Sequence, residues 1–150
     1  HTAPINMILA LREGLRVVLE EGLEARFKRH ERNAAALRAG LEALGLDLLA
    51  PEGSRLAQIT PVWVPNGVDD DAVRGMLLHE HNIEIGKGFG EFAGRAWRIG
   101  LMGESSKPEY VLALLSALEK ILPRLDYETA QGAGVGAAST TLGRRRRKLG

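Results

Sequence analysis

The amino-acid sequence predicts an α+β domain: a mainly antiparallel sheet of about four strands with helices on one face. Three observations predict it. Apolar residues recur at three- and four-residue steps from Pro4 to Leu44, short apolar runs bounded by glycine and proline follow, and two more stretches of helical spacing lie between and after those runs. The order is helix, two strands, helix, two strands, helix, and placing the helices on one face of the sheet hides all their apolar sides.

The first element is read as one long linking helix over residues 4–44, through Ile8, Leu11, Leu15, Val18, Leu19, Leu23, Phe27, Ala34, Leu37, Leu41 and Leu44. Thr2 or Ala3 is its expected cap, Pro4 its first turn, Gly14 and Gly22 its places to bend, and Gly45 its stop. Such a helix suits a domain bridge or a dimer interface. Leu46–Ala50 is short enough for a strand, and Leu56–Val64 reads as a second, with Pro61 at an edge or bulge. Asp69, Asp70 and Asp71 open a helix that runs to about Glu80, their charge complementing its dipole. Ile83–Ile85 and Ala96–Leu101 are the third and fourth strands, and Pro108–Leu122 is the closing helix.

Composition excludes several classes. The chain has no cysteine, so disulfides, thiolate metal sites and cysteine nucleophiles are ruled out. Residues 1–123 carry 14 basic and 17 acidic side chains, which gives no electrostatic reason for nucleic-acid or membrane binding. No apolar run approaches the roughly 20 residues of a membrane helix, and no secretory pattern opens the chain; a cytoplasmic location is expected. Residues 1–125 are expected to fold as one domain and residues 126–150, rich in small residues and ending in a basic run from Arg144 to Lys148, to be a disordered tail. The start at His1, with helical spacing almost at once, leads us to expect a piece of a longer polypeptide.

The segment Arg95-Ala-Trp-Arg-Ile-Gly-Leu-Met-Gly103 carries the sharpest chemical signal. In an alternating strand Trp97, Ile99 and Leu101 share one face while Ala96, Arg98 and Gly100 share the other. Arg98 is then either one half of a structural ion pair or a planar donor fork for a small carboxylate. The loop Gly86 to Gly94 before it, with four glycines in nine residues, suits a substrate loop or a tight connection. Thr2 at a helix start is a simple cap or a contact for a phosphate group. His30, His79 and His81 are read as surface or helix-terminal residues, and no metal site or activated nucleophile is expected.

Together with His1-Thr2-Ala-Pro4, Glu20-Glu-Gly-Leu-Glu24-Ala-Arg26 and Ile83-Glu-Ile85, the Arg98–Gly103 stretch resembles the C-terminal part of class V pyridoxal-phosphate aminotransferases, the alanine-glyoxylate and serine-glyoxylate group. The likeness covers about residues 1–123. It implies the small C-terminal domain of a fold-type I enzyme, with Arg98 binding the carboxylate of an amino or 2-oxo acid. Thr2, with His1 beside it, would contact the phosphate of pyridoxal 5'-phosphate held mainly by the other subunit of a homodimer. It implies transfer of an amino group from alanine or serine to glyoxylate or a related 2-oxo acid. None of Lys28, Lys87, Lys107, Lys120 and Lys148 has the sequence context of the family's Schiff-base lysine, so the chain alone is expected to be inactive. The competing reading is a non-catalytic module that binds a small acid or dimerises through its long helix.

Overall fold

In the computed structural model, which describes residues 2–143, the long apolar periodicity forms two helices instead of one. Helix α1 spans Ile5–Glu21 and α2 spans Leu23–Ala43; between them Gly22 has φ 78° and ψ 140°, a backbone state that only glycine adopts readily. The bend expected at this glycine is a complete break. None of the 17 residues of α1 is buried, whereas α2 buries Ala34, Ala36, Leu37 and Leu41. The stop at Gly45 is as expected. Its N–H reaches the Glu42 carbonyl and the Leu46 N–H reaches that of Leu41, both at 3.0 Å, which is a Schellman cap with Leu41 and Leu46 buried beside it.

The sheet has three strands in the order β1-β3-β2, all antiparallel: β1 is Ile59–Trp63, β2 is Gly86–Lys87 and β3 is Ala96–Gly100. The expected first strand is reduced to a bridge between Leu48 and Val62. Pro61 stands opposite Arg98, and its carbonyl turns outward to the Leu49 N–H at 3.0 Å, so its missing N–H costs the β3 ladder nothing. The third strand begins later than expected because Ile83 is used to end the helix before it. Asn82 adopts the left-handed conformation, and the Ile83 N–H returns to the Leu77 carbonyl at 3.0 Å.

Helix α3, Asp70–His81, starts where the acids predict: the Asp69 side chain accepts the Ala72 N–H at 2.7 Å. Helix α4, Pro108–Ile121, buries Val111, Leu114, Leu115, Leu118 and Ile121. Together with Leu37, Leu41, Val73 and Leu77 they cover the sheet face made by Val62, Trp97 and Ile99, which forms the core. The fully buried Trp97 donates its indole N–H to Asp70 at 3.0 Å, so this acid, nearly buried and also paired with Arg74, ties α3 to β3 instead of facing solvent.

Where a disordered tail was expected, a helix α5 spans Ala133–Gly143 and packs against α2 and α4. Small residues are the reason it packs. A side chain at Gly40 would stand 2.9 Å from the Gly134 carbonyl, and one at Gly134 would stand 3.1 Å from the Gly40 carbonyl, so the two backbones pass in close contact. Glu119 of α4 caps α5, accepting N–H groups from Gly132 at 3.1 Å and Val135 at 3.0 Å. His1 and the basic run at residues 144–148 lie outside the described residues. Among the described residues, no helix is long and apolar enough to cross a membrane.

Candidate functional site

Strand β3 delivers the alternation that its sequence predicts. Trp97, Ile99 and Leu101 are buried, while Arg98 emerges half-buried on the opposite face. Its Nε donates to the Lys87 carbonyl at 2.8 Å, and its guanidinium carbon lies 3.7 Å from the centre of the Phe89 ring. These contacts fix the plane of the group from one side. The two terminal nitrogens, Nη1 and Nη2, have no acceptor among the described residues, and no carboxylate pairs with Arg98 there. The fork is therefore held in place and unsaturated.

Gly86 supplies the room for it. A side chain at that position would come within 3.1 Å of Arg98 Nη2, which explains why β2 begins with glycine opposite Arg98. Gly88 serves the loop itself: a side chain there would collide with the Phe92 carbonyl. The glycine-rich segment is thus a tight connection that also brings Phe89 over the guanidinium.

The turn after β3 is held from α2. Leu101 donates its N–H to Gln58 at 2.8 Å, and a 3-10 turn follows at Gly103–Ser105, where Gly103 has φ 58°. Arg29 donates from Nη1 to the carbonyls of Gly103 at 2.9 Å and Ser106 at 2.7 Å, and from Nε and Nη2 to the two oxygens of Glu21 at 2.5 and 2.8 Å. Arg26 adds a 2.7 Å bond to Glu21. Asn33, buried, donates to the Ser106 carbonyl at 2.7 Å. The hydrogen bonds from Arg29 hold the Glu21 carboxyl at about 2; burial opposes this and Arg26 reinforces it.

His30 corrects the sequence expectation. It is buried at 5% exposure, its Nδ1 is 2.8 Å from the Arg26 carbonyl, and its Nε2 accepts the Gly103 N–H at 3.1 Å. With Nδ1 donating and Nε2 accepting, the ring is neutral and bridges α2 to the turn. His79 and His81 lie in the last turn of α3, as read.

Thr2 is not a helix cap. It is exposed ahead of Pro4, which occupies the cap position and whose carbonyl accepts from Met7 at 3.0 Å and Ile8 at 3.1 Å. The surface depression it lines is built only from Thr2 to Met7, so the structure does not bring Thr2 and Arg98 together. A separate cleft of about 630 Å³ is lined by Asp47, Trp63, Asn66, Gly94, Arg95 and Tyr127 and does not include Arg98 either. Arg98 stands on an open sheet face.

No family model matches the chain. It is 46% identical over 138 residues to the (S)-ureidoglycine–glyoxylate transaminase of Bacillus subtilis (strain 168), covering 92% of this chain and 33% of the relative. The crystal structure of that organism's ureidoglycine-glyoxylate aminotransferase superposes with a TM-score of 0.90 at 45% identity, over 94% of this chain and 36% of that one. An alanine–glyoxylate aminotransferase structure from Nostoc sp. matches at 50% identity and a TM-score of 0.78, over 81% of this chain and 32% of that one. The serine–glyoxylate aminotransferase of Arabidopsis thaliana is 33% identical over 143 residues, covering 95% of this chain and 35% of the relative. The chain spans about a third of the length of the curated relatives it matches.

Proposed function

The chain belongs to the class V aminotransferase family, and we propose from that premise that it supplies the substrate-carboxylate site of a transaminase acting on glyoxylate or a related 2-oxo acid, with alanine or serine as amino donor. The observation that carries this is the free fork of Arg98: Nη1 and Nη2 without an acceptor among the described residues, on a guanidinium already oriented by Lys87 and Phe89. Two parallel N–H groups match the two oxygens of a carboxylate, which binds in the plane of the fork. A group oriented before the ligand arrives loses less freedom on binding.

Enzymes of this family use pyridoxal 5'-phosphate, which supplies an electron sink for the amino acid when bound. The cofactor needs a lysine to hold it covalently and an acid to keep its ring nitrogen protonated. Among the described residues Lys107 is paired with Glu104, and Lys28, Lys87 and Lys120 are exposed and paired with no carboxylate. These residues do not fit the whole group. Thr2 is proposed only for a phosphate contact across a homodimer interface, together with His1, which lies outside the described residues. The 150-residue chain alone is expected not to transaminate.

Steady-state kinetics of the complete enzyme test the role of Arg98. Arg98→Lys removes the planar fork and keeps the charge, so KM for glyoxylate is expected to rise about 5- to 150-fold, equivalent to ~1–3 kcal/mol, with kcat much less affected. An unchanged KM overturns the assignment. Saturable glyoxylate binding by the complete protein without amino transfer, lost in the same variant, would assign the fork to acid capture without catalysis.

A further inference from the structure

We propose that Arg29 is a positioning residue for the Arg98 site: it sets where the strand that carries Arg98 ends, and through that the placement of the carboxylate fork. The proposal rests on the reading of Arg98 as the carboxylate donor.

Arg98 lies two residues before Gly100, the last residue of β3, and three residues beyond Gly100 is Gly103, the start of the turn that Arg29 holds. Opposite Arg98 on β1 is Pro61, whose carbonyl turns away to Leu49, so the hydrogen bonds of that ladder come from the neighbouring pairs. On the other side β2 is only two residues long. Beyond Arg98 the C-terminal end of β3 is paired with β1 alone, and its exit adds further fastenings. That exit is fastened by the Leu101 N–H to Gln58, by the Gly103 N–H to His30, and by two carbonyls bound to Arg29, one of which, Ser106, also accepts from Asn33.

Among these fastenings Arg29 alone also reaches the α1–α2 joint. Its Nε and Nη2 engage both oxygens of Glu21, the last residue of α1, while its Nη1 engages the Gly103 and Ser106 carbonyls. One planar group thus spans from the break at Gly22 to the turn after the Arg98 strand. Lysine keeps the charge and loses the fork, so it holds one side or the other. The turn then rests on Gln58, His30 and Asn33 without its tie to the α1–α2 joint, and a sub-ångström displacement of a binding group is enough to weaken ligand capture.

The test is a double-mutant cycle on the complete enzyme, with glyoxylate as varied substrate. Arg29→Lys is expected to raise KM about tenfold with kcat within about twofold, because the effect is on placement of the carboxylate and not on the reacting atoms. In an Arg98→Lys background the same change is expected to add less than about twofold, since the group through which it acts is already impaired. Glu21→Gln, which leaves the two carbonyl bonds in place, should shift KM in the same direction by a smaller factor; it serves in place of Arg29→Lys where that variant fails to fold. Effects of Arg29 and Arg98 that multiply in full, or kcat falling as KM rises, would show a general structural role and overturn the proposal. If Arg98→Lys raises KM and neither Arg29→Lys nor Glu21→Gln does, positioning by Arg29 is wrong and the reading of Arg98 stands. If Arg98→Lys leaves KM unchanged, both fall together.

Discussion

The two arginines that matter most here use their nitrogens in opposite ways. Arg98 commits only Nε to the protein, whereas Arg29 commits Nε and both terminal nitrogens to four acceptor atoms. The first is a donor fork held ready, the second a fastening already made. Glu21 shows the strength of the fastening. Its carboxyl is held at about 2 against an ordinary 4.5, chiefly by the hydrogen bonds from Arg29. A carboxyl depressed in the folded state contributes stability that is complete above its unfolded value and is lost as pH falls toward the folded one. The stability that the Glu21–Arg29 contact contributes is therefore expected to be complete down to about pH 4.5 and to decline toward pH 2, where the carboxyl itself protonates in the folded state. A carbon-detected NMR titration of the Glu21 carboxyl checks this; a midpoint near 4.5 would mean that the pair does not form in solution. The side-chain alternation about Arg98 was legible because it depends only on strand period. The role of His30 was not, because a histidine among polar helix residues gains its meaning from the Gly103 amide 73 positions away.

At the scale of elements, local signals were read well and tertiary ones were not. The acids that open α3 and Gly45 as a stop act within a few residues of themselves, and both stand where the sequence puts them. The missed helix α5 buries only a thin row of mostly small residues, Gly134, Ala138 and Leu142, which reads as low complexity in the sequence. Its cap is Glu119 on another helix, and its packing comes from the absence of side chains at Gly40 and Gly134. Similarly, a period of three and four residues continues across Gly22, so apolar spacing alone could not separate α1 from α2. Gly40→Val is expected to push α5 off α2, because the added carbons meet a backbone carbonyl as well as Leu115. Overpacking of this kind costs roughly 1–3 kcal/mol. Limited proteolysis should then cut between Ala130 and Gly143 while the rest of the chain stays protected; an unaltered digestion pattern would argue against the close helix contact.

Considered whole, the molecule is two unequal parts: a packed body from α2 onward, and α1, whose apolar residues Ile5, Ile8, Leu11, Leu15 and Leu19 are all more than half exposed. Burial, not hydrophobic character, decides what a side chain contributes to stability. Leu15→Gln is accordingly expected to change the unfolding free energy of this chain by less than about 0.5 kcal/mol. Leu37→Ala, at a site of 0% exposure, should cost about 2–5 kcal/mol. Urea denaturation distinguishes them, and a large loss from Leu15→Gln would mean that α1 is covered in solution. The sheet order has a last consequence. β3 is flanked at Arg98 by Pro61 of β1 and Gly86 of β2, so much of the backbone freedom beneath the guanidinium is already removed. Capturing an anion there demands only the quieting of a few side-chain torsions, and discrimination among acids falls to whatever surrounds their other ends.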